Sequence, residues 1–220
     1  MSATDTTTQE RPIGRRGPYA ELFFALMRSG TFLTGFAIVL FWVICALFGE
    51  HFTPYDPLAD DIINALSPPS AEHWFGTDQI GRDVFSRVIV GSRDILTVAP
   101  LATLLATVAG TALGLFTGYF RGIADDIVSR VLEAFMAIPV VIVALLAIVA
   151  RGTSKATVIV VIGLSFAPII ARTVRSAVLA ERELDYVAAA QLRHESAFHT
   201  MFVELLPNVI PPILVETTVR

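Results

Sequence analysis

The sequence predicts an all-α protein, a polytopic transmembrane helical bundle, and three observations predict it. Of the 220 residues 54% are hydrophobic and only 16% charged, with a mean hydropathy of +0.67, more apolar sequence than a soluble domain of this size needs. The apolar residues gather in runs long enough to cross a hydrocarbon core of ~30 Å. Arginine and lysine fall mainly on one side of those runs, as cytoplasmic loops of membrane proteins require. The formal net charge of -4 decides little, because in a membrane protein the position of each charge relative to the spans matters more than the sum.

Residues 1–29 read as a cytoplasmic tail whose first part, Met1 to Gly17, is rich in Thr, Arg and Gly without apolar periodicity. It is not read as a secretory signal, since the apolar run after it is too long for a signal core and lacks a small-residue cleavage site. The first span covers 30–48. Arg11, Arg15, Arg16 and Arg28 precede it and place the N-terminus in the cytoplasm. Cys45, the single cysteine, lies inside this run and reads as a small packing residue.

Residues 49–94 form an extracytoplasmic segment. From Glu50 to Asp94 it carries eight carboxylates against three arginines, and Pro54, Pro57, Pro68 and Pro69 break any long helix. Its second half, GTDQIGRDVFSRVIVGSR from Gly76 to Arg93, combines Thr77 or Asp78 as a helix cap with apolar Val84, Phe85, Val88 and Ile89. That pattern predicts an interfacial helix leading into the next span.

The remainder, 95–220, reads as one core domain. Its first span, about Ile95 to Tyr119, carries Gly110, Gly114 and Gly118 at four-residue spacing, with Ala106 one turn earlier. Such a smooth stripe serves close helix packing, within the chain or against a partner subunit. Tyr119 to Arg130 reads as a short cytoplasmic connection. The next two spans, roughly Val131 to Ala150 and Ala156 to Ala171, contain Pro139 and Pro168, which mark kinks or gating points. A last span begins at Pro207 or Asn208 and has about 20 Å of helix before Arg220, so the chain reads as truncated or as entering the membrane without leaving it. Ten Lys/Arg lie inside on this topology and five outside, which makes it self-consistent.

Between the last two spans lies a polar stretch, DYVAAAQLRHESAFHTMFVELLPN from Asp185 to Asn208. It reads as two short helices around a turn, with Ser196 capping the second and Pro207-Asn208 opening the next segment. We assign the hairpin to 185–206. A helical knob between two spans is suited to receive work done by another protein and pass it to the helices on either side.

The chemistry that the chain lacks narrows its function. There is no GxxxxGK[ST] run to cradle nucleotide phosphates, no GxSxG, no HExxH and no paired intramembrane carboxylate. His51, His73, His194 and His199 show no metal-ligand spacing with nearby Cys or carboxylates, and Asp60, Asp61 and His73 read as a solvated acidic loop rather than a metal site. No catalytic residue, metal site or bound cofactor is expected. Spans one to four hold no charge at depth, which argues against an ion-coupled carrier. Glu216 is the exception: it faces a pathway, pairs with Arg220 at i+4, or is solvated near an interface.

Two stretches resemble a known family. The hairpin looks like the EAA loop of the membrane subunits of bacterial ABC importers. Gly76 to Arg93 looks like the GTDxxGRDxxSRxxxGxR stretch of the C-type permease subunit of dipeptide/oligopeptide importers, in the binding-protein-dependent transport system inner-membrane component family. The resemblance spans nearly everything from Phe32 to Arg220. It implies a type I ABC importer permease bundle, with about five spans present of an expected six, in the bacterial cytoplasmic (inner) membrane.

It further implies a B-type permease subunit as heterodimer partner, two ABC ATPase subunits that hold ATP and Mg, an extracytoplasmic substrate-binding protein, and no nucleic acid. Asp185, Tyr186, Ala189 and Ala190 match the EAA-like part, while Pro207 and Asn208 match its closing Leu-Pro-Asn. With His194 and Ser196 these form the expected ATPase-coupling set, on a knob from Asp185 to His199. Gly76, Thr77, Asp78, Gly81, Arg82, Asp83, Arg87 and Arg93 form an outer, structural motif. The chain departs from the pattern at His194, where the family has glycine, and in its ending. The alternative expectation is a truncated, non-transporting membrane subunit that docks to a partner.

Overall fold

The computed structural model describes residue 24 and residues 26–219, so the tail before Phe24 and the expected Glu216–Arg220 pair lie outside the described residues. The chain divides into two compact units, residues 1–93 and 94–220.

The first unit holds α1 (Gly30–Phe52), capped by Ser29, whose hydroxyl accepts from the Phe32 amide at 3.4 Å. Apart from Cys45 and Gly49 its side chains are exposed or half-buried, the pattern of a span that meets lipid. Gly49 lies where a Cβ would come 2.9 Å from the Ile89 side chain. After α1 the prolines keep the chain irregular except for one 3-10 turn, Ile62–Asn64.

Next comes α2 (Val84–Phe120), one continuous helix of 37 residues. The expected interfacial helix and second span are therefore a single element, and its cap is neither Thr77 nor Asp78. The Ser86 amide donates to Asp83 Oδ2 at 2.8 Å, so Asp83 takes that place. A helix crosses the membrane without a break only if no residue forces one, and Pro100 is accommodated inside α2.

In the second unit the connection after α2 is two residues, Arg121 (φ 43°) and Gly122 (φ 73°), and α3 (Ile123–Met136) starts where a longer loop was expected. The span expected over 131–150 is instead two helices, α3 and α4 (Val140–Arg151), bent by 84°. Pro139 has no amide to continue α3 and steers Ile138 away from helical geometry. It then serves as the N-cap of α4.

Ser154 caps α5 (Lys155–Glu181), accepting from the Thr157 amide at 3.1 Å. This helix runs ten residues beyond the expected end at Ala171, so Arg172 and Arg175 belong to it, and it passes through the buried Pro168. The hairpin helix α6 (Asp185–Leu192) follows.

The last helix, α7 (Ala197–Thr218), begins ten residues before Pro207. Its Thr200–Leu205 segment is π-helical, with the Leu206 amide reaching back to the Met201 carbonyl. A π turn just before Pro207 fits a residue that cannot return a hydrogen bond. Counted from Ala197 the helix has 22 residues, about 33 Å, so it is long enough to cross.

Among the described residues α1, α2, α5 and α7 are each long and apolar enough to span a membrane, and α3 with α4 makes a fifth if the bent pair is one span. The core of the second unit gathers Ala106 and Leu115 from α2, Ile170, Val174 and Val178 from α5, Val187 from α6, and Met201, Leu205, Val209 and Ile213 from α7. The α7 residues recur at four-residue spacing and so form one face.

Candidate functional site

The hairpin is anchored at its base. Val187 and Ala190 of α6 are fully buried, Val187 in the core just described. Burial pushes the Tyr186 phenol up, and the Glu181 carboxylate, to which it donates at 2.9 Å, adds to the effect. The phenol thus stays a neutral donor. Arg121 Nη2 pairs with Glu183 at 2.5 Å, and Arg182 donates to the Tyr119 carbonyl while lying 5.6 Å from that ring. The α2–α3 turn is thereby tied to the end of α5 from which the hairpin leaves.

The turn itself is a helix-ending motif with every bond in place. The His194 amide donates to the Gln191 carbonyl at 3.0 Å and the Glu195 amide to Ala190 at 3.3 Å, the pairing that closes a helix around one left-handed residue. That residue is His194, at φ 57°. The departure from glycine therefore leaves the turn in its usual form, at a cost of about 1–2 kcal/mol. Ser196 then caps α7, accepting from the His199 amide at 3.2 Å.

The tip presents apolar side chains to solvent. Leu192 is 81% exposed and Phe198 68%, with the Phe198 and Phe202 rings 4.4 Å apart. Composition hid these residues because they lie in a polar stretch; the signal was the i,i+4 phenylalanine pair. Of the expected coupling set, Ala190 is buried and Tyr186 and Ala189 are half-buried. Asp185, His194 and Ser196 are exposed. Pro207 and Asn208 sit mid-helix, the Asn208 side-chain Nδ2 donating to the Glu204 carbonyl at 2.9 Å.

One expectation about histidines needs correction. Ligand atoms of Glu195, His199 and Glu204 lie within 4.8 Å of one another; Glu195 and His199 stand at i,i+4, a spacing visible in the sequence, and Glu204 joins them through the π-helical segment. Arg193 already bridges the two carboxylates, Nε to Glu195 at 2.7 Å and Nη2 to Glu204 at 3.2 Å. This is an ion-pair network that braces the turn, and a cation would have to displace the guanidinium.

Above the hairpin, the second unit is held by a glycine stripe and an ion pair. A Cβ on Gly110 would come 2.6 Å from the Ala167 carbonyl, and one on Gly114 2.6 Å from that of Ala171; on Gly118 it would meet Val178. The stripe thus faces α5 of the same chain. Asp125, which sequence reasoning left in a loop, accepts from Arg175 Nε at 2.7 Å and Nη2 at 2.6 Å. Glu216 is half-buried and accepts from Thr173 Oγ1 at 3.4 Å, so it faces α5.

In the first unit the outer motif folds on itself. Thr77 donates to the Asn64 carbonyl and accepts from the Ser67 amide at 2.8 Å. Asp78 accepts from the Ile80 and Arg82 amides at 3.0 and 2.9 Å and pairs with Arg87. Arg82 pairs with Asp60 at 2.6 Å, and Arg93 with Glu50 at 3.3 Å. Gly76 and Gly81 take φ of 72° and 81°, and a Cβ on Gly81 would overlap the Asp61 carbonyl, so both places require glycine.

Asp83, 3% exposed, also meets His73 Nδ1 at 3.0 Å. Burial pushes its carboxyl up, but the Ser86 amide and the His73 imidazole together outweigh burial and hold it below the usual aspartate range. Asp78 is likewise lowered: desolvation, the largest single effect, pushes it up, but the Arg82 and Ile80 amides and the Arg87 and Arg82 charges together outweigh it. Carboxyls depressed in the folded state stabilise it fully above the ordinary aspartate pKa and lose that contribution as pH falls through the lowered values. Acid titration of Trp74 fluorescence in a Trp42→Phe background is expected to show loop unfolding only below the ordinary range. In Asp83→Asn the transition should move up.

Comparison with known proteins agrees with this arrangement. Residues 110–220, just over half of the chain, match the family described as binding-protein-dependent transport system inner membrane component. The chain belongs to that family. Residues 17–69 match the N-terminal TM domain of oligopeptide transport permease C. A probable D,D-dipeptide transport system permease protein of Escherichia coli is 31% identical over 219 residues, 99% of this chain and 74% of the relative.

A dipeptide transport system permease protein of Alkalihalophilus pseudofirmus is 33% identical over 91% of this chain and 66% of its own length. A nickel transport system permease protein of Escherichia coli is 34% identical over 82% and 65%. The chain thus spans roughly two thirds to three quarters of these three relatives. As a member of this inner-membrane component family it is a multi-pass transport permease, not an ATPase or other enzyme.

Proposed function

We propose that the chain is the C-type permease subunit of an ATP-driven importer for di- or oligopeptides. Its partners on this reading are a B-type permease, two ATPase subunits and an extracytoplasmic binding protein, with the N-terminus and the hairpin in the cytoplasm. The observation that carries the reading is the hairpin. Its base is built into the core shared by α2, α5 and α7, while its tip offers Leu192 and Phe198 to a partner. Displacement of the tip is then transmitted as a rigid movement of the helices on either side, which alternating access requires. The dipeptide and oligopeptide names among the relatives and in the matched N-terminal domain support the peptide class.

The test is reconstitution with the cognate partners in liposomes, read as binding-protein-stimulated ATP hydrolysis. Leu192→Asp with Phe198→Asp is expected to abolish assembly with the ATPase subunits while thermal unfolding of the permease changes little. His194→Gly is expected to leave stimulation unchanged and to stabilise by about 1 kcal/mol. A complex that assembles normally with both tip aspartates overturns the coupling role. Assembly without stimulation in the unmodified protein favours the second reading, a docking subunit that does not transport.

A further inference from the structure

A cavity of about 490 Å³ in the second unit is lined by Thr117 of α2, by Asp126, Ser129, Arg130 and Glu133 of α3, and by α5 from Pro168 to Arg175. Arg175 is taken by Asp125 through two hydrogen bonds. Four more ionic groups stand around the cavity, all of them exposed: Asp126, whose charge also acts on Arg175, and Arg130, Glu133 and Arg172. Among the described residues none of the four forms a salt bridge, and the side chain of Arg172 donates to the Met136 sulfur at 3.6 Å. Cavities elsewhere in this unit are lined mainly by apolar side chains, as along α2 and α5 or across the α3–α4 bend.

Charges of both signs on the walls of one cavity, with no salt bridge among these four, are complemented by a ligand that carries both. Guanidinium groups take phosphate or carboxylate in forked hydrogen bonds, and carboxylates take ammonium. The volume lies in the range of small-molecule sites. We propose that this cavity binds a small zwitterion, its anionic group at Arg130 and Arg172 and its ammonium at Asp126 and Glu133. Two sources share that chemistry: the ethanolamine phosphate head of a phospholipid, and a short peptide with free termini. The peptide source rests on the importer reading given above; the lipid source does not.

The experiment is native mass spectrometry of the purified full chain in detergent, counting molecules retained after addition of phosphatidylethanolamine, phosphatidylglycerol or dialanine. Binding is read without ATPase partners, so it fails or succeeds independently of the transport reading. Phosphatidylethanolamine or dialanine is expected to be retained at least about tenfold more than by Arg130→Gln/Arg172→Gln and by Asp126→Asn/Glu133→Gln. Displacement of the lipid by dialanine identifies the peptide as occupant, and its failure to displace identifies the head group.

Retention of phosphatidylglycerol equal to that of phosphatidylethanolamine, or equal retention by all variants, overturns the proposal. So does retention of neither probe. Arg130→Gln alone, at an exposed position, gives a variant expected to unfold at the same temperature as the parent and still to lose most binding.

Discussion

Arg175→Met is expected to destabilise the second unit by about 1–2 kcal/mol, because it takes the cation from a buried carboxylate while the guanidinium itself is 36% exposed and already screened by water. The Asp125 side chain is 8% exposed, and with the guanidinium gone its one remaining side-chain partner among the described residues is Ser129, at 3.1 Å. The pair joins α3 to α5, fifty residues away in the chain. A buried ion pair adds little net stability over an apolar pair of similar volume, but half of one is costly.

The double variant Asp125→Leu/Arg175→Met should therefore recover most of what Arg175→Met loses. Thermal unfolding in detergent is the measurement. If the double variant is as unstable as the single, the pair is not what holds α3 in place. The consequence for transport is direct, since α5 ends four residues before the hairpin helix begins. On the proposed importer reading, a displaced α3 would take up motion that the hairpin delivers.

How legible all this was in the sequence depended on the range of the interaction. Apolar runs showed that α1, α2 and α5 exist, because span length is a local property. They misplaced the ends, since apolar character continues wherever a helix stays in lipid or in the core. Ser196 was read correctly as a cap because its bond reaches only three residues. Asp83 was missed in favour of Thr77 and Asp78, which are better placed in sequence but are consumed by the loop, Thr77 by Asn64 and Ser67, Asp78 by its own turn and Arg87.

Pro139 announced a kink but not its angle, which depends on what α4 packs against. Pro207 looked like a start because proline favours first turns, while a π segment lets the helix run through it. The Asp125–Arg175 pair needed tertiary structure, and Glu204 joins the i,i+4 pair of Glu195 and His199 only through a π register that the sequence does not announce.

The glycine stripe carries the second large effect. Gly114→Leu is expected to destabilise the second unit by about 3 kcal/mol, at the upper end for overpacking. The obstacle is backbone: a Cβ would stand 2.6 Å from the Ala171 carbonyl and 2.6 Å from Val174 Cβ, and neither is the far end of a flexible chain. The helices would have to separate. Separation would also open the contacts at Gly110 and Gly118, because the three glycines meet α5 in register over two turns. In a membrane such close approach is itself the source of helix affinity, since lipid tails compete equally for apolar surface.

Gly35→Leu is the matched control, with nothing within 4 Å of its Cβ position, and should shift stability by less than about 0.5 kcal/mol. Equal effects at Gly35 and Gly114 would remove the case for a tight α2–α5 crossing. A large loss at Gly114 in the isolated chain, before any partner is added, assigns the stripe to packing within the subunit and leaves the partner's contacts to other faces of α2.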